Sequence, residues 1–280
     1  MFAASSPSES TVGGNLQPRV RGGLRLCFRD RNRQTHAASY EERDGYKIRF
    51  PRGGHGCEGV IINTGGGVAG GDLIAHAVTL EAGASATLTT PAAERIYRSN
   101  GDVSRIDISM GLQDGASLAW LPQETILFAE ARLQRRFEID MAPSASLLMA
   151  EITVFGRKEM GEAINQGSYI DRWHVRRDGC LVFAENVRFG GDLAAALKKP
   201  AIGNGARVMG TVLYVAASAE SKLEPVRAVL TGAASRLAAS AWNGLLCIRC
   251  LGDDLEAVRR DLSRALILLR QQPMPRVWHI

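Results

Sequence analysis

Short segments in which hydrophobic and polar residues alternate run through most of the chain up to about residue 215. Tyr46, Ile48 and Phe50 alternate with polar neighbours, and so do Ile106 and Ile108. Because a period of two places one set of side chains on one face, these segments predict half-buried β-strands. No long segment with a helical period interrupts them, so alternating βαβ units are not expected. This part of the chain is therefore predicted to be mainly β.

Three segments of this region share one plan and form a weak internal repeat, at residues 75–91, 104–122 and 137–152. In each, an alternating strand leads into a turn of two small residues, and a second apolar strand follows. The turns are separated by 32 and then 29 residues, at Ala84-Ser85, Ala116-Ser117 and Ala145-Ser146. A nearly constant period predicts strand pairs stacked as successive layers, as in a β-helix. A plain β-sandwich is the alternative, since any β-meander produces similar units.

The C-terminal part of the chain changes to a helical pattern. Beside Pro225, which suits the first turn of a helix, one helical face carries Val226, Val229, Leu230, Ala233 and Leu237. A second helix is predicted after Asp253, which can cap its N-terminus with Glu256 completing the capping box. Its buried stripe is expected to contain Leu255, Val258, Leu262, Leu266 and Leu269, and its outward residues Arg259, Arg260 and Arg264.

Together these patterns predict a mainly β fold: a layered, β-helix-like or sandwich body with two C-terminal α-helices. Residues 242–252 are typical of a strand, so the C-terminal part is expected to form a helix–strand–helix cover. Residues 19–280 are expected to form a single domain. The first 18 residues, rich in Ser, Pro and Gly, are predicted to be a disordered tail.

The composition narrows the classes of function. No apolar run approaches the roughly 20 residues that span a bilayer, and the N-terminus lacks the core of a secretory signal, so a cytoplasmic protein without a membrane anchor is expected. The five cysteines are an odd number, and reduced thiols are expected. The net charge of +5 is carried by dispersed arginines. A nucleic-acid-binding face would show a concentrated basic stripe, so nucleic acid is not an expected partner.

Two motifs suggest familiar chemistry, but their contexts do not fit. Residues 65–70 match the dinucleotide-binding pattern G-x-G-x-x-G, yet the alternation after Asp72 predicts a strand where that motif needs a helix. Cys247 and Cys250 form one C-x-x-C, and residues three apart in a strand point to opposite faces. Their sulfur atoms are therefore not expected to converge on a metal. The sequence nominates no catalytic residue and no permanently bound cofactor.

Acidic residues in apolar or glycine-rich segments are the more informative candidates. Glu151 and Glu185 interrupt hydrophobic strands, while Asp72 and Glu162 lie beside glycines. An ionised carboxylate in a core is costly unless it is paired or solvated. Each acid is therefore expected either to bind an arginine or to face water in a cavity. Several such acids together favour a polar interior surface.

Seven segments carry a resemblance to a known family: FPRG (50–53), GGGVAGGD (65–72), TTPAAERIYRS (89–99), LPQETILF (121–128), FGRKEMGE (155–162), GDLAAAL (191–197) and PRVW (275–278). In this order they closely resemble the UreD (UreH) family of urease accessory proteins. The agreement runs from about Gly23 to the C-terminus. LPQETILF is expected to act as a packing element, with a partner interface as the alternative.

The resemblance implies a mainly β protein without enzymatic activity of its own. It implies three partners, apo-urease, UreF and the GTPase UreG, and is compatible with a dimer formed through the UreF and UreG complex. That complex delivers nickel to the two-metal urease site, so nickel would be in transit. For a water-filled, carboxylate-lined passage, the matching positions are Asp72, Glu151 and Glu185, with Glu162 as a weaker addition.

The chemistry of nickel favours carboxylates along such a route. Nickel binds imidazole and thiolate tightly, whereas oxygen ligands hold it more weakly, so a route poor in histidine suits transit. Two rival functions remain open. One is a β-solenoid hydrolase or lyase that uses paired carboxylates on a groove, and its activity would not need UreF, UreG or urease. The other is a nucleotide-binding enzyme acting through residues 65–70.

Overall fold

Strands predominate in the computed structural model, which describes residues 19–52, 56–157 and 160–279. The strands are β1 (Gly23–Arg31), β2 (Gln34–Arg43), β3 (Tyr46–Arg49), β4 (Cys57–Asn63), β5 (Leu73–Leu80), β6 (Ser85–Thr89), β7 (Glu94–Ile96), β8 (Ser104–Leu112), β9 (Ser117–Leu121), β10 (Thr125–Leu127), β11 (Arg132–Met141), β12 (Ser146–Phe155), β13 (Ser168–Arg177), β14 (Cys180–Gly190), β15 (Val208–Val215), β16 (Arg236–Trp242) and β17 (Leu245–Gly252). The helices are α1 (Leu193–Lys198), α2 (Leu223–Leu230) and α3 (Leu255–Arg270). The mainly β prediction is confirmed. The tail predicted at residues 1–18 lies outside the described residues.

The strands form two sheets. The first sheet has the order β14-β13-β11-β8-β5-β1-β2, and the second has the order β16-β17-β15-β12-β9-β6-β4-β3, with β7 and β10 attached beside β12. Strands β5, β8, β11 and β13 run parallel, as do β4, β6, β9 and β12. The chain reaches each parallel neighbour by crossing to the other sheet and back, so it winds as a layered, solenoid-like body.

The internal repeat marks these layers. Ala84, Ala116 and Ala145 are buried at the three stacked turns. The Ser117 N–H donates to the Ala84 carbonyl at 2.8 Å, and the Ser146 N–H donates to the Ala116 carbonyl at 2.8 Å. Successive turns are therefore about one strand spacing, ~4.8 Å, apart, and only small side chains fit between them. The β-helix-like prediction is confirmed in this part of the fold.

Two hydrophobic cores lie on the two faces of the second sheet. Leu147 faces the core between the sheets, whereas its neighbour Leu148 faces a core covered by α2 and α3. Because side chains alternate along a strand, Cys247 enters the first core and Cys250 the second. This confirms that the C-x-x-C sulfur atoms do not converge. Both C-terminal helices pack on the second sheet, but the strand predicted at residues 242–252 is not part of a cover, because it joins that sheet as β17 between β15 and β16.

The helix α2 is shorter than the sequence predicts. Pro225 lies in its first turn as expected, but the helix ends at Leu230 and Gly232 adopts a φ of 72°. This left-handed conformation, which glycine tolerates, turns the chain into β16. Leu237 therefore packs on the second core from a strand, and its helical placement was wrong. The position of Leu237 fits the helical period of the preceding residues only by coincidence, because the residue belongs to a strand.

The cap of α3 is one residue later than predicted. Asp254, and not Asp253, is the N-cap, because its carboxylate accepts a hydrogen bond from the Glu256 N–H at 3.1 Å. The helix then runs from Leu255 to Arg270 with its predicted apolar stripe packed on the second core. Within the described residues, no helix has the length and apolar composition that a membrane span requires.

The outward placement predicted for Arg259 was also wrong. Its Nη1 donates to Glu124 Oε2 at 2.7 Å, and its guanidinium lies 5.0 Å from the centre of the Trp278 ring. The Trp278 Nε1 donates to the Leu121 carbonyl at 3.0 Å. A long arginine stem can cross the flank of a helix to reach a buried carboxylate. These contacts join the segment LPQETILF, which contains Glu124, to the segment PRVW, which contains Trp278. LPQETILF therefore packs within the chain.

The glycine-rich segment leads into a strand. Residues 65–70 are followed by β5, so the helix that a dinucleotide site requires is replaced by a strand. Gly67 has a φ of 154°, and a Cβ there would lie 2.6 Å from the Arg95 carbonyl oxygen. The glycine therefore permits close packing against TTPAAERIYRS, and this segment has no dinucleotide-binding geometry.

Candidate functional site

A cavity of about 220 Å³ lies between the two sheets, and we call it the inter-sheet cavity. Its apolar wall includes Ile106, Ile108 and Phe137 from the first sheet. Its polar lining includes Tyr46, Asn63, His76, Glu94, Trp120, Thr125, Arg135 and Glu151. Its rim includes the exposed residues Pro91 and Arg95 of TTPAAERIYRS. The cavity thus extends from acids and amides in the interior to this outer segment.

One end of the inter-sheet cavity is formed by an arginine that holds two carboxylates. The Arg135 Nη1 donates to Glu151 Oε2 at 2.5 Å, and its Nε and Nη2 donate to the two Asp171 oxygens at 3.1 and 2.6 Å. The Trp120 Nε1 donates to Glu151 Oε1 at 2.8 Å, and the Tyr169 hydroxyl donates to Asp171 at 2.9 Å. All of the charged side chains here are buried.

This cluster carries more acid than base. Arg135 supplies one positive charge against the two carboxylates of Glu151 and Asp171. Burial raises the pKa of the Glu151 carboxyl, and the Arg135 guanidinium opposes that shift. The inward position of Glu151 follows from strand alternation, because Leu147, Met149 and Glu151 share one face of β12.

The other end of the inter-sheet cavity holds Glu94, which the sequence analysis did not single out. The Asn63 Nδ2 donates to Glu94 Oε1 at 2.9 Å, and the Tyr46 hydroxyl donates to Oε2 at 3.4 Å. Among the described residues, no lysine or arginine forms an ion pair with this carboxylate. Burial raises the pKa of Glu94 to about 7, although the hydrogen bonds from Asn63 and Tyr46 act in the opposite direction.

His76 faces the same end of the cavity from the first sheet. Its ring packs edge-on against Tyr46, with 5.0 Å between the ring centres. Its Nδ1 is buried and has no hydrogen-bond partner among the described residues. Burial lowers the pKa of His76 to about 4, because a charged imidazolium would be poorly solvated there. The imidazole is therefore neutral near pH 7.

Glu185 lies on the edge strand β14, half-buried between the two sheets, where it bridges them to the exposed Arg249. It forms an ion pair with Arg249 of the second sheet, and the Arg249 Nη1 donates to Thr211 Oγ1 at 3.0 Å. Glu151, Thr211 and Arg249 occupy paired positions on β12, β15 and β17. Paired residues on neighbouring strands lie side by side, so a polar row connects Glu151 with Glu185.

The other two acids singled out in the sequence, Asp72 and Glu162, make their hydrogen bonds within or beside the turns that contain them. Asp72 is buried and accepts hydrogen bonds from the Val20 N–H at 3.0 Å and the Ala69 N–H at 2.8 Å. These contacts fix the turn at the end of the glycine-rich segment. Asp72 is not among the residues that line the inter-sheet cavity.

Glu162 is held by the loop that contains it. Its carboxylate accepts hydrogen bonds from the Arg157 N–H at 3.0 Å, from the Arg157 guanidinium at 2.9 and 3.1 Å, and from the Ala129 N–H at 3.0 Å. The Arg157 hydrogen bonds lower the pKa of Glu162 to about 2. Of the four predicted acids, the structure therefore places Glu151 and Glu185 along one interior row and separates Asp72 and Glu162 from it.

Strand alternation was the signal that could have identified the missed residues. His76 lies between the inward residues Ile74 and Val78, and Asp171 lies between Tyr169 and Trp173. A polar residue at an inward position of a strand is the same signal that identified Glu151. Within the described ranges, no group of three His, Cys, Asp or Glu side chains is arranged to hold a metal ion.

Comparison with known proteins identifies the family. The family model described as "UreD urease accessory protein" matches residues 20–279. A protein of Xanthobacter autotrophicus named urease accessory protein UreD is 44% identical over 278 residues, which cover 98% of this chain and 96% of that protein. Urease accessory protein UreD 1 of Methylobacterium radiotolerans is 51% identical over 235 residues, or 83% of this chain and 82% of that protein. With a match that spans nearly all of its length, the chain belongs to the UreD family of urease accessory proteins.

Proposed function

We propose that this chain serves urease maturation by binding apo-urease together with UreF and UreG in the cytoplasm and by conveying nickel through the interior between its sheets. Family membership supports the accessory role, since the relatives are named as accessory proteins and not as enzymes. The carboxylates lie between the sheets and not on an open groove, which disfavours the alternative of a solenoid hydrolase. Nickel is cargo in this proposal and not a resident cofactor.

The observation that carries the proposal is the acidic interior row that begins at the inter-sheet cavity. Arg135 balances only one of the charges on Glu151 and Asp171, so a divalent cation near them would be attracted. Thr211 and Glu185 continue the row towards the far edge of the second sheet. Oxygen ligands exchange nickel more readily than thiolate does, which suits passage over storage.

Glutamine substitutions in the row test the proposed passage. Glu151→Gln and Glu185→Gln remove one negative charge each with little change in shape. We expect each to lower the nickel content of urease matured in its presence, and the double variant to lower it several-fold. Nickel per urease active site, measured by atomic spectroscopy after co-expression with the accessory proteins, provides the readout.

A matched control is available on the outer face of the first sheet. Glu138 is also paired with an arginine, Arg176, at 2.9 Å, but it faces away from the interior. Glu138→Gln should leave the nickel content unchanged. Co-purification with UreF and apo-urease shows whether each variant still assembles. Normal nickel loading by an assembled Glu151→Gln/Glu185→Gln variant would contradict the passage.

A further inference from the structure

A groove of about 350 Å³ crosses the outer face of the first sheet, on the opposite side of that sheet from the inter-sheet cavity. We call it the outer groove. Its floor includes Ala75 and Ala77 of β5 and Ser109 of β8. These side chains point away from the interior, since their strand neighbours His76 and Ile108 are buried between the sheets. The small floor residues keep the groove open across neighbouring strands.

One side of the outer groove is formed by arginines. Arg25 of β1 is the registered partner of Ala77, and Arg43 of β2 is its diagonal neighbour on the other side. Arg21, which lies just before β1, completes this side, and all three arginines are exposed. Arg43 pairs with Glu41 at 2.9 Å, whereas Arg21 and Arg25 form no ion pair with another described residue. This side of the groove therefore carries positive charge that the described carboxylates do not balance.

The opposite side of the outer groove carries its own counterions. The Arg136 Nε donates to Asp107 Oδ1 at 3.1 Å, and Glu138 accepts from Arg176 at 2.9 Å. The unbalanced charge of the groove is therefore on the β1 and β2 side. Arg25 and Glu138 occupy one row of registered residues, three strand spacings or about 14 Å apart. This separation leaves room for one extended peptide segment between them.

We propose that the outer groove binds an acidic, extended segment of a partner protein, whose carboxylates pair with Arg21 and Arg25. The planar guanidinium group of arginine presents parallel donors that match a carboxylate. A nucleic acid fits less well, because Asp107 and Glu138 would lie near its phosphates. Phe, Tyr and Trp, on which bases stack, are also not among the described residues that line the groove. The groove is separate from the interior row, so the inference goes beyond the proposed passage.

A fluorescein-labelled peptide of alternating glutamate and serine residues tests the outer groove on the full-length chain. We expect fluorescence anisotropy to show saturable binding at about 0.1 M sodium chloride, and weaker binding as salt is added, because salt screens exposed charges. Arg21→Glu and Arg25→Glu should each weaken binding about tenfold or more, since each replaces an attraction by a repulsion. Ala75→Phe fills the floor of the groove without changing its charge, and should weaken binding as well.

Arg188 offers a matched control on the same face of the same sheet. It is exposed on the edge strand β14 and does not line the outer groove. Its strand lies five strand spacings, about 24 Å, from β1, which exceeds the screening length of about 10 Å at 0.1 M salt. Arg188→Glu changes the net charge of the chain as much as Arg25→Glu does, and should leave the peptide affinity within about twofold of the wild type.

Four results would overturn the proposal. They are no saturable binding by the wild type, unchanged affinity in Arg21→Glu/Arg25→Glu, an equal loss in Arg188→Glu, and tighter binding of a single-stranded oligonucleotide of the same charge. Thermal melting followed by circular dichroism identifies a variant that has lost its fold, and Arg25→Gln, which adds no acid, then takes its place. The passage variant Glu151→Gln/Glu185→Gln should bind the peptide as the wild type does, because both carboxylates lie between the sheets, so the two proposals can fail separately.

Discussion

Replacing Arg135 with alanine is expected to lower the free energy of unfolding by about 3–5 kcal/mol, the range for removing one partner of a buried ion pair. The guanidinium is the only cation in contact with Glu151 and Asp171 among the described residues, and all three side chains are at least 94% buried. Without it, two carboxylates would remain close together in the core with only neutral donors. Urea unfolding followed by circular dichroism measures the loss.

Two further variants separate charge from packing in this experiment. Arg176→Ala removes a partly exposed arginine that pairs with Glu138, and should cost about 1 kcal/mol or less. Arg135→Met combined with Glu151→Gln and Asp171→Asn removes all three charges and should be less destabilised than Arg135→Ala. If Arg135→Ala and Arg176→Ala proved equally stable, the buried cluster would contribute nothing through its charge.

Replacing Glu94 with glutamine is expected to stabilise the protein at pH 8, by up to about 3 kcal/mol in metal-free buffer. The pKa of Glu94 rises from 4.5 to about 7 on folding. Its stabilising contribution is therefore fully present below pH 4.5 and is lost as the pH rises through 7. Glutamine cannot ionise and avoids this loss, so the two proteins should have similar stability at pH 4.5.

Ionisation of His76 changes the free energy of unfolding with pH in the opposite direction, so it must be considered together with Glu94. Its pKa falls from 6.5 to about 4 on folding, so its contribution is fully present above pH 6.5 and is lost as the pH falls through 4. Between pH 4.5 and 6.5 the two slopes partly cancel in the wild type, whereas Glu94→Gln retains only the slope from His76. Urea unfolding at half-unit steps of pH measures both curves. Parallel curves from pH 4.5 to 8 would show that Glu94 ionises normally in the folded protein.

Strand periodicity predicted much of the fold because every second residue of a half-buried strand faces the core and is hydrophobic. The three Ala-Ser turns predicted the layered arrangement, and this signal is also local. Stacked turns admit only small side chains at Ala84, Ala116 and Ala145. The helix α2 shows the limit of this approach. Leu237 satisfied a helical spacing, but Gly232 ended the helix and placed Leu237 on a strand.

The candidate site was predictable only in part. Glu151 was identified because a single acid in an apolar strand has to be paired or solvated. Glu94 and His76 are 18 residues apart in the sequence and come from different sheets, so nothing local indicated that they share a cavity. Asp72 and Glu162 were singled out beside glycines, but backbone N–H groups and Arg157 account for their contacts.

The sequence by itself determined the β-rich layers, the two covering helices and the family, because these depend on periodicity and on ordered motifs along the chain. The tertiary structure alone decided which charged groups meet. Arg135 joins Glu151 to Asp171, Arg259 turns inward to Glu124, and Glu94 has no cationic partner within the part of the chain that the structure describes. Which charged groups form ion pairs depends on the distances between strands that are far apart in the chain. The pattern of residues along the sequence carries no information about those distances.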